Sequence, residues 1–181
     1  EETDDAFFFS ISIIKDFKYA RYTPLLYLKD KKKYATMLTA QHNMGGFMKG
    51  ILVKRLESSF FAFRKTLERF IESYEKFIEM SQTGKIYISK KVNVYDLLDD
   101  GNTQKLMYLI EQQDVMEFET KEFSSRFFRD LQADLGQLRS MQFIWSLIEN
   151  DPKLDEFKSN LTTNSKMKGK KAIVFTESTE T

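Results

Sequence analysis

From Leu56 to Phe77 the apolar residues Leu56, Phe60, Phe63, Leu67, Phe70, Tyr74 and Phe77 fall at spacings of 4, 3, 4, 3, 4 and 3. A strand alternates every two residues, so this spacing fits one face of an α-helix and no strand. The opposite side carries Arg64, Lys65, Glu68, Arg69, Glu72 and Lys76. Glu72 and Lys76 stand in the favoured i,i+4 order. The stretch predicts a helix of about 23 residues, roughly 35 Å long, with one apolar stripe. Such a stripe must be covered, so the chain needs a second helix of similar length.

A second stripe supplies it. Between about Lys121 and Glu149, Phe123, Phe127, Leu131, Leu135, Leu138, Met141, Trp145 and Ile148 share one side. Thr120 is placed to cap the start, and Asp151-Pro152 ends the run. Packing the two stripes antiparallel buries both. The 17 Phe and 8 Met then belong to a core, as does the lone Trp145.

The remaining elements are shorter. Ala6 to Phe17 reads as a first helix, capped by Asp4 or Asp5. Pro24 interrupts or starts an element, and a helix from about Pro24 or Tyr34 to Thr39 follows. Gly84 ends the first long helix. Ile86, Ile88, Val92 and Val94 alternate with polar residues, which predicts two short strands or a hairpin near 85–95. Asp99, Asp100, Gly101 and Asn102 form a turn and cap, and Thr103 to Gln112 a short helix. Lys153 to Leu161 is amphipathic through Leu154, Phe157 and Leu161. A basic linker, TTNSKMKGKK, precedes AIVF, a strand near 171–176. Its unpaired backbone groups need a neighbour, so we expect a strand cut from a larger sheet, poorly ordered beyond about Lys166 or paired with another chain. The fold class is mainly α, with long antiparallel helices and a minor β component.

Several chemistries are excluded. Cysteine is absent and His42 is the one histidine, so disulfides, thiolate sites and multi-histidine metal sites are ruled out. His42, near an expected helix start, suits a polar rather than a catalytic role. No GxxxxGK[ST] or GxGxxG occurs, and Gly45, Gly46 and Gly50 do not replace them. Ser58-Ser59 has no base placed to activate it. Asp99 and Asp100 read as turn residues rather than a metal site. No apolar run approaches the ~20 residues of a membrane span, and a cytoplasmic location is expected. The chain starts without Met or a signal-peptide flank, so either end is expected to be a boundary within something larger.

Net charge is +1, yet the charges segregate. Lys15 to Lys33 holds seven basic and two acidic residues, Lys49 to Lys65 five and one. Tyr95 to Glu122 holds eight acidic and two basic. These runs are solvated helix faces or the makings of a basic face.

Two stretches carry a resemblance. LVKRLESSFFAFRKTLERF spans Leu52 to Phe70, after QHNMGGFMKG; DPKLDEFKSNL begins at Asp151 and is followed by GKKAIVFTESTET. Together they resemble the region between the two RecA-like lobes of superfamily 2 helicases of the Swi/Snf-like branch. Lys54 to Ser59 is similar to a segment after the first lobe. Asp151 to Leu154 is similar to the helix opening the second lobe, and Lys171 to Thr176 to its first core strand, motif IV. The likeness covers Gln41 to Phe70 and Asp151 to Thr181. It implies a helical inter-lobe domain over 1–150 and the start of a truncated second lobe over 151–181. It further implies a parent motor that hydrolyses ATP with magnesium while moving along double-stranded DNA. The catalytic motifs would lie outside this chain, which is expected to be inert alone and to need no cofactor itself.

On that resemblance, Lys54, Arg55, Lys31, Lys32, Lys170, Lys171 and Thr176 are candidate nucleic-acid contacts. Each has a plainer reading: Arg55 and Lys54 as structural pairs, the lysine runs as solvated surface. The expected partners are duplex DNA and the parent's two lobes, with no membrane, and a homo-oligomer through the exposed strand or apolar stripes. The rival reading is a self-contained helical scaffold or adaptor that binds a protein through its Phe-rich stripes. A small enzyme with a site invisible to motif reading is a third.

Overall fold

The computed structural model describes residues 2–89, 115–149 and 151–163. Five α-helices and a two-stranded sheet account for most of them: α1 (Glu2–Asp16), α2 (Ala35–Ser58), α3 (Phe60–Gln82), β1 (Lys85–Ser89), β2 (Val115–Glu119), α4 (Ser125–Ser146) and α5 (Pro152–Thr163). The chain is mainly α with a minor β component, as expected. Three short 3-10 turns link α1 to α2.

The two stripes meet as the spacing requires. All seven residues from Leu56 to Phe77 and all eight from Phe123 to Ile148 are buried. Phe60 and Phe63 pack on Trp145 at ring-centroid distances of 4.6 and 5.4 Å, and Phe77 on Phe127 at 6.0 Å. Early residues of α3 thus face late residues of α4, which makes the pair antiparallel. Each fully buried large side chain contributes about 1.5–3 kcal/mol, so this interface dominates the fold. Because the stripes are spent on each other, they are not free to join copies of the chain or to bind a partner.

The stripe is continuous but the helix is not. Ser59 is extended, with φ −152° and ψ 133°; it ends α2, and its hydroxyl accepts from Ala62 N at 3.3 Å as the N-cap of α3. Leu56 therefore belongs to α2, and α3 keeps the 23 residues expected. The other helix starts also move. α1 begins at Glu2 rather than Ala6, and α4 begins at Ser125, with a 3-10 turn at Thr120–Glu122 where a helix start was expected. His42 sits within α2, exposed, not at a helix start.

β1 forms where alternation placed it, and Ile86 and Ile88 are buried. Its partner is the antiparallel β2, in register Ile86↔Phe118 and Ile88↔Met116. Val115–Glu119 had no element assigned from sequence. The second half of the expected hairpin, Val92 and Val94, lies outside the described residues, as do the 99–102 turn, the 103–112 helix and the 171–176 strand.

The segment between α1 and α2 is fastened to α4 by two carboxylates one turn apart. Asp134 is fully buried and accepts from Lys18 N (2.8 Å), Ala20 N (2.9 Å) and the Tyr74 hydroxyl (2.8 Å). Tyr19, between those two amides, is left-handed at φ 55°. That conformation turns both N–H groups to one side, a nest for an anion. Burial pushes the Asp134 carboxyl up to about 6, although its three hydrogen bonds pull the other way. Asp130 accepts from the Tyr27 hydroxyl at 2.9 Å and Arg126 Nε at 3.1 Å. Burial, then the bond to Asp130, raises the Tyr27 phenol well above its ordinary range.

Candidate functional site

The two stretches that carry the resemblance are about ninety residues apart in sequence and meet at one end of the bundle. The meeting point is Asp151. Its Oδ1 accepts from Lys153 N (3.1 Å) and Leu154 N (3.3 Å), which caps α5. Its Oδ2 accepts from Phe60 N at 3.3 Å, a free donor at the start of α3. One carboxylate therefore caps two helices, and both helix dipoles favour a negative charge there. Lys153 Nζ donates to Glu57 O at the end of α2, and Arg64 Nη2 donates to Ile148 O.

The local sequence explains this geometry. Ser59 breaks the helix, leaving the first amides of α3 in need of acceptors. Asp151 precedes Pro152, whose missing N–H suits the first position of a helix. The bend in Lys54–Ser59 and the turn at Asp151–Leu154 form a joint of α2, α3, α4 and α5. It holds no nucleophile–base pair. Among the described residues no group of three or more His, Asp and Glu is placed to hold a metal ion. A shift of α5 against α3 must break the Asp151–Phe60 bond.

The candidate nucleic-acid residues are not brought into one patch. Lys54 is exposed and Arg55 half-buried near the end of α2, beside the joint. Lys31 and Lys32 are exposed before α2, with Lys32 N bonded to Asp30 Oδ1 at 3.1 Å. Most of the length of α2, about 29 Å at 1.5 Å per residue, separates the two pairs. Lys170, Lys171 and Thr176 lie outside the described residues. The double cap by Asp151 was missed; its only signal was an Asp before Pro, read as a helix stop.

Comparison with protein-family models, curated proteins and solved structures returned no match.

Proposed function

We propose that this chain is a non-catalytic helical unit of a helicase-like, DNA-dependent ATPase, linking the two motor lobes and touching duplex DNA. The observation that carries the reading is the double cap by Asp151. The Lys54–Ser59 and Asp151–Leu154 stretches, each similar to a flank of the inter-lobe region, meet there: Asp151 accepts from Phe60 N, the residue after the first stretch, and Lys153 Nζ donates to Glu57 O within it. A joint of that kind suits an element that passes movement from a second lobe, continuing from α5, to the helices of 1–150. ATP and magnesium belong to the parent's lobes on this reading, and the chain alone does not turn over nucleotide. The test is ATP hydrolysis by the full-length gene product, with and without duplex DNA, beside this chain. DNA-stimulated turnover by the parent alone is expected; turnover by this chain, or none by the parent, overturns the reading.

A second reading, a helical adaptor that binds a protein, has one observation in its favour. Phe8, Phe61, Phe143, Leu147, Leu154 and Phe157 are each at least two-fifths exposed. Phe61 and Phe143 lie close in sequence to Phe60 and Trp145, which pack on each other. Large exposed apolar side chains are what a protein-binding surface uses. Capture of a defined partner by these side chains, lost in Phe143→Ser, with no parent ATPase, would favour the adaptor.

A further inference from the structure

The first lysines of the two basic runs, Lys15 and Lys18 of one and Lys49 of the other, line an open cleft. Lys15 and Lys18, around the end of α1, stand on one side; His42, Asn43, Gly46 and Lys49, on one face of α2, stand on the other. The cleft has a volume of about 570 Å³, and no Asp or Glu lines it. Lys15, Lys18 and His42 are exposed, and Lys49 is half-buried. Among the described residues none of these three lysine ammonium groups pairs with a carboxylate.

The fold builds this arrangement. The Asp134 nest fixes Lys18 N and Ala20 N and so sets the wall that carries Lys18. Gly45 lets that wall approach α2, since a Cβ there would stand 3.2 Å from Thr23 Cγ2. Gly46 is exposed, and a Cβ on it would meet nothing within 4 Å, so the floor of the cleft is smooth.

We infer that this cleft holds the phosphate backbone of duplex DNA through Lys15, Lys18 and Lys49. It deepens the motor reading by naming where the duplex lies. A small phosphate ligand needs cations converging on one point in a closed pocket. Here the cleft is open, with Lys15 and Lys18 contributed by one segment and Lys49 by α2. His42 to Lys49 alone covers about 10 Å of α2, close to the axial rise of three phosphates on one strand.

The experiment is fluorescence anisotropy of a short labelled duplex with this chain across a salt series. Three phosphate contacts predict an affinity that falls about 40-fold between about 50 and about 200 mM salt. The triple variant Lys15→Gln, Lys18→Gln, Lys49→Gln should lose most of that slope and bind at least tenfold more weakly at low salt. The charge-matched variant Lys65→Gln, Lys76→Gln, Lys121→Gln, on surfaces away from the cleft, should bind like wild type. Equal losses in both variants, or no duplex binding at low salt, would overturn the inference. So would an NMR titration in which inorganic phosphate, but not the duplex, shifts the Gly46 amide; that result assigns the cleft to a small ligand. If the parent ATPase is DNA-stimulated but the cleft variant binds normally, this inference fails and the motor reading stands. Binding through the cleft by a chain whose parent lacks such ATPase reverses that outcome.

Discussion

Replacing Asp134 by Ala should destabilise the chain, and by more in acid than at neutral pH. The side chain satisfies two backbone amides and one phenol, all of which lose their acceptor. Each of the three hydrogen bonds contributes about 1 kcal/mol once desolvation is counted, so about 3 kcal/mol is lost near pH 7, a large part of the ~5–15 kcal/mol typical of a domain. The folded state holds the proton more tightly than the unfolded one. The stability this supplies is complete below the unfolded value near 3.8 and is lost as pH rises through about 6. Wild type therefore gains about 1.3 kcal/mol from this group between about pH 7 and pH 5, a gain the variant lacks. The difference between the two should grow from about 3 to about 4 kcal/mol. Urea unfolding of both proteins at the two pH values reads it directly, because the other carboxylates largely cancel. A loss below about 1 kcal/mol, or one that shrinks in acid, would refute the nest.

Other perturbations test separate joints. Trp145 Nε1 donates to the buried Ser10 hydroxyl at 2.7 Å, so Trp145→Phe should cost about 2–3 kcal/mol in denaturant unfolding followed by circular dichroism. A cost under ~1 kcal/mol would show that α1 does not depend on this contact. Gly46→Ala should raise stability by about 1 kcal/mol, since it removes a glycine from a helix without a clash, whereas Gly45→Ala should not, because its Cβ would press on Thr23. Equal thermal shifts for the two would contradict the close approach of the loop to α2. Asp151→Ala removes the acceptor of two helix starts and should cost about 1–2 kcal/mol in the same unfolding assay. No change would mean that the joint is ornamental.

The long helices were legible because their stripes repeat over six turns, long enough for periodicity to override local detail. The break near the start of the first stripe was not. Ser58-Ser59 sits inside an uninterrupted stripe, and only the extended backbone at Ser59 shows that one serine is a cap. β2 was hidden because two of the five residues of Val115–Glu119 are acidic, and its side chains make sense only opposite Ile86 and Ile88. Asp134 stood among Leu131, Leu135 and Leu138, and a carboxylate on an apolar stripe was the available sign of a buried role. Its partners, amides more than a hundred residues away, leave no local mark. The cleft followed the same rule. Both basic runs were countable in sequence, but that Lys15 and Lys18 face Lys49 depends on how α1 and α2 pack.

The most direct measurement is the DNA-stimulated ATPase of the full-length protein carrying Asp151→Ala. If this chain links the motor lobes through Asp151, turnover without DNA should persist while stimulation by duplex is largely lost. Stimulation equal to wild type in a folded variant would contradict the coupling role.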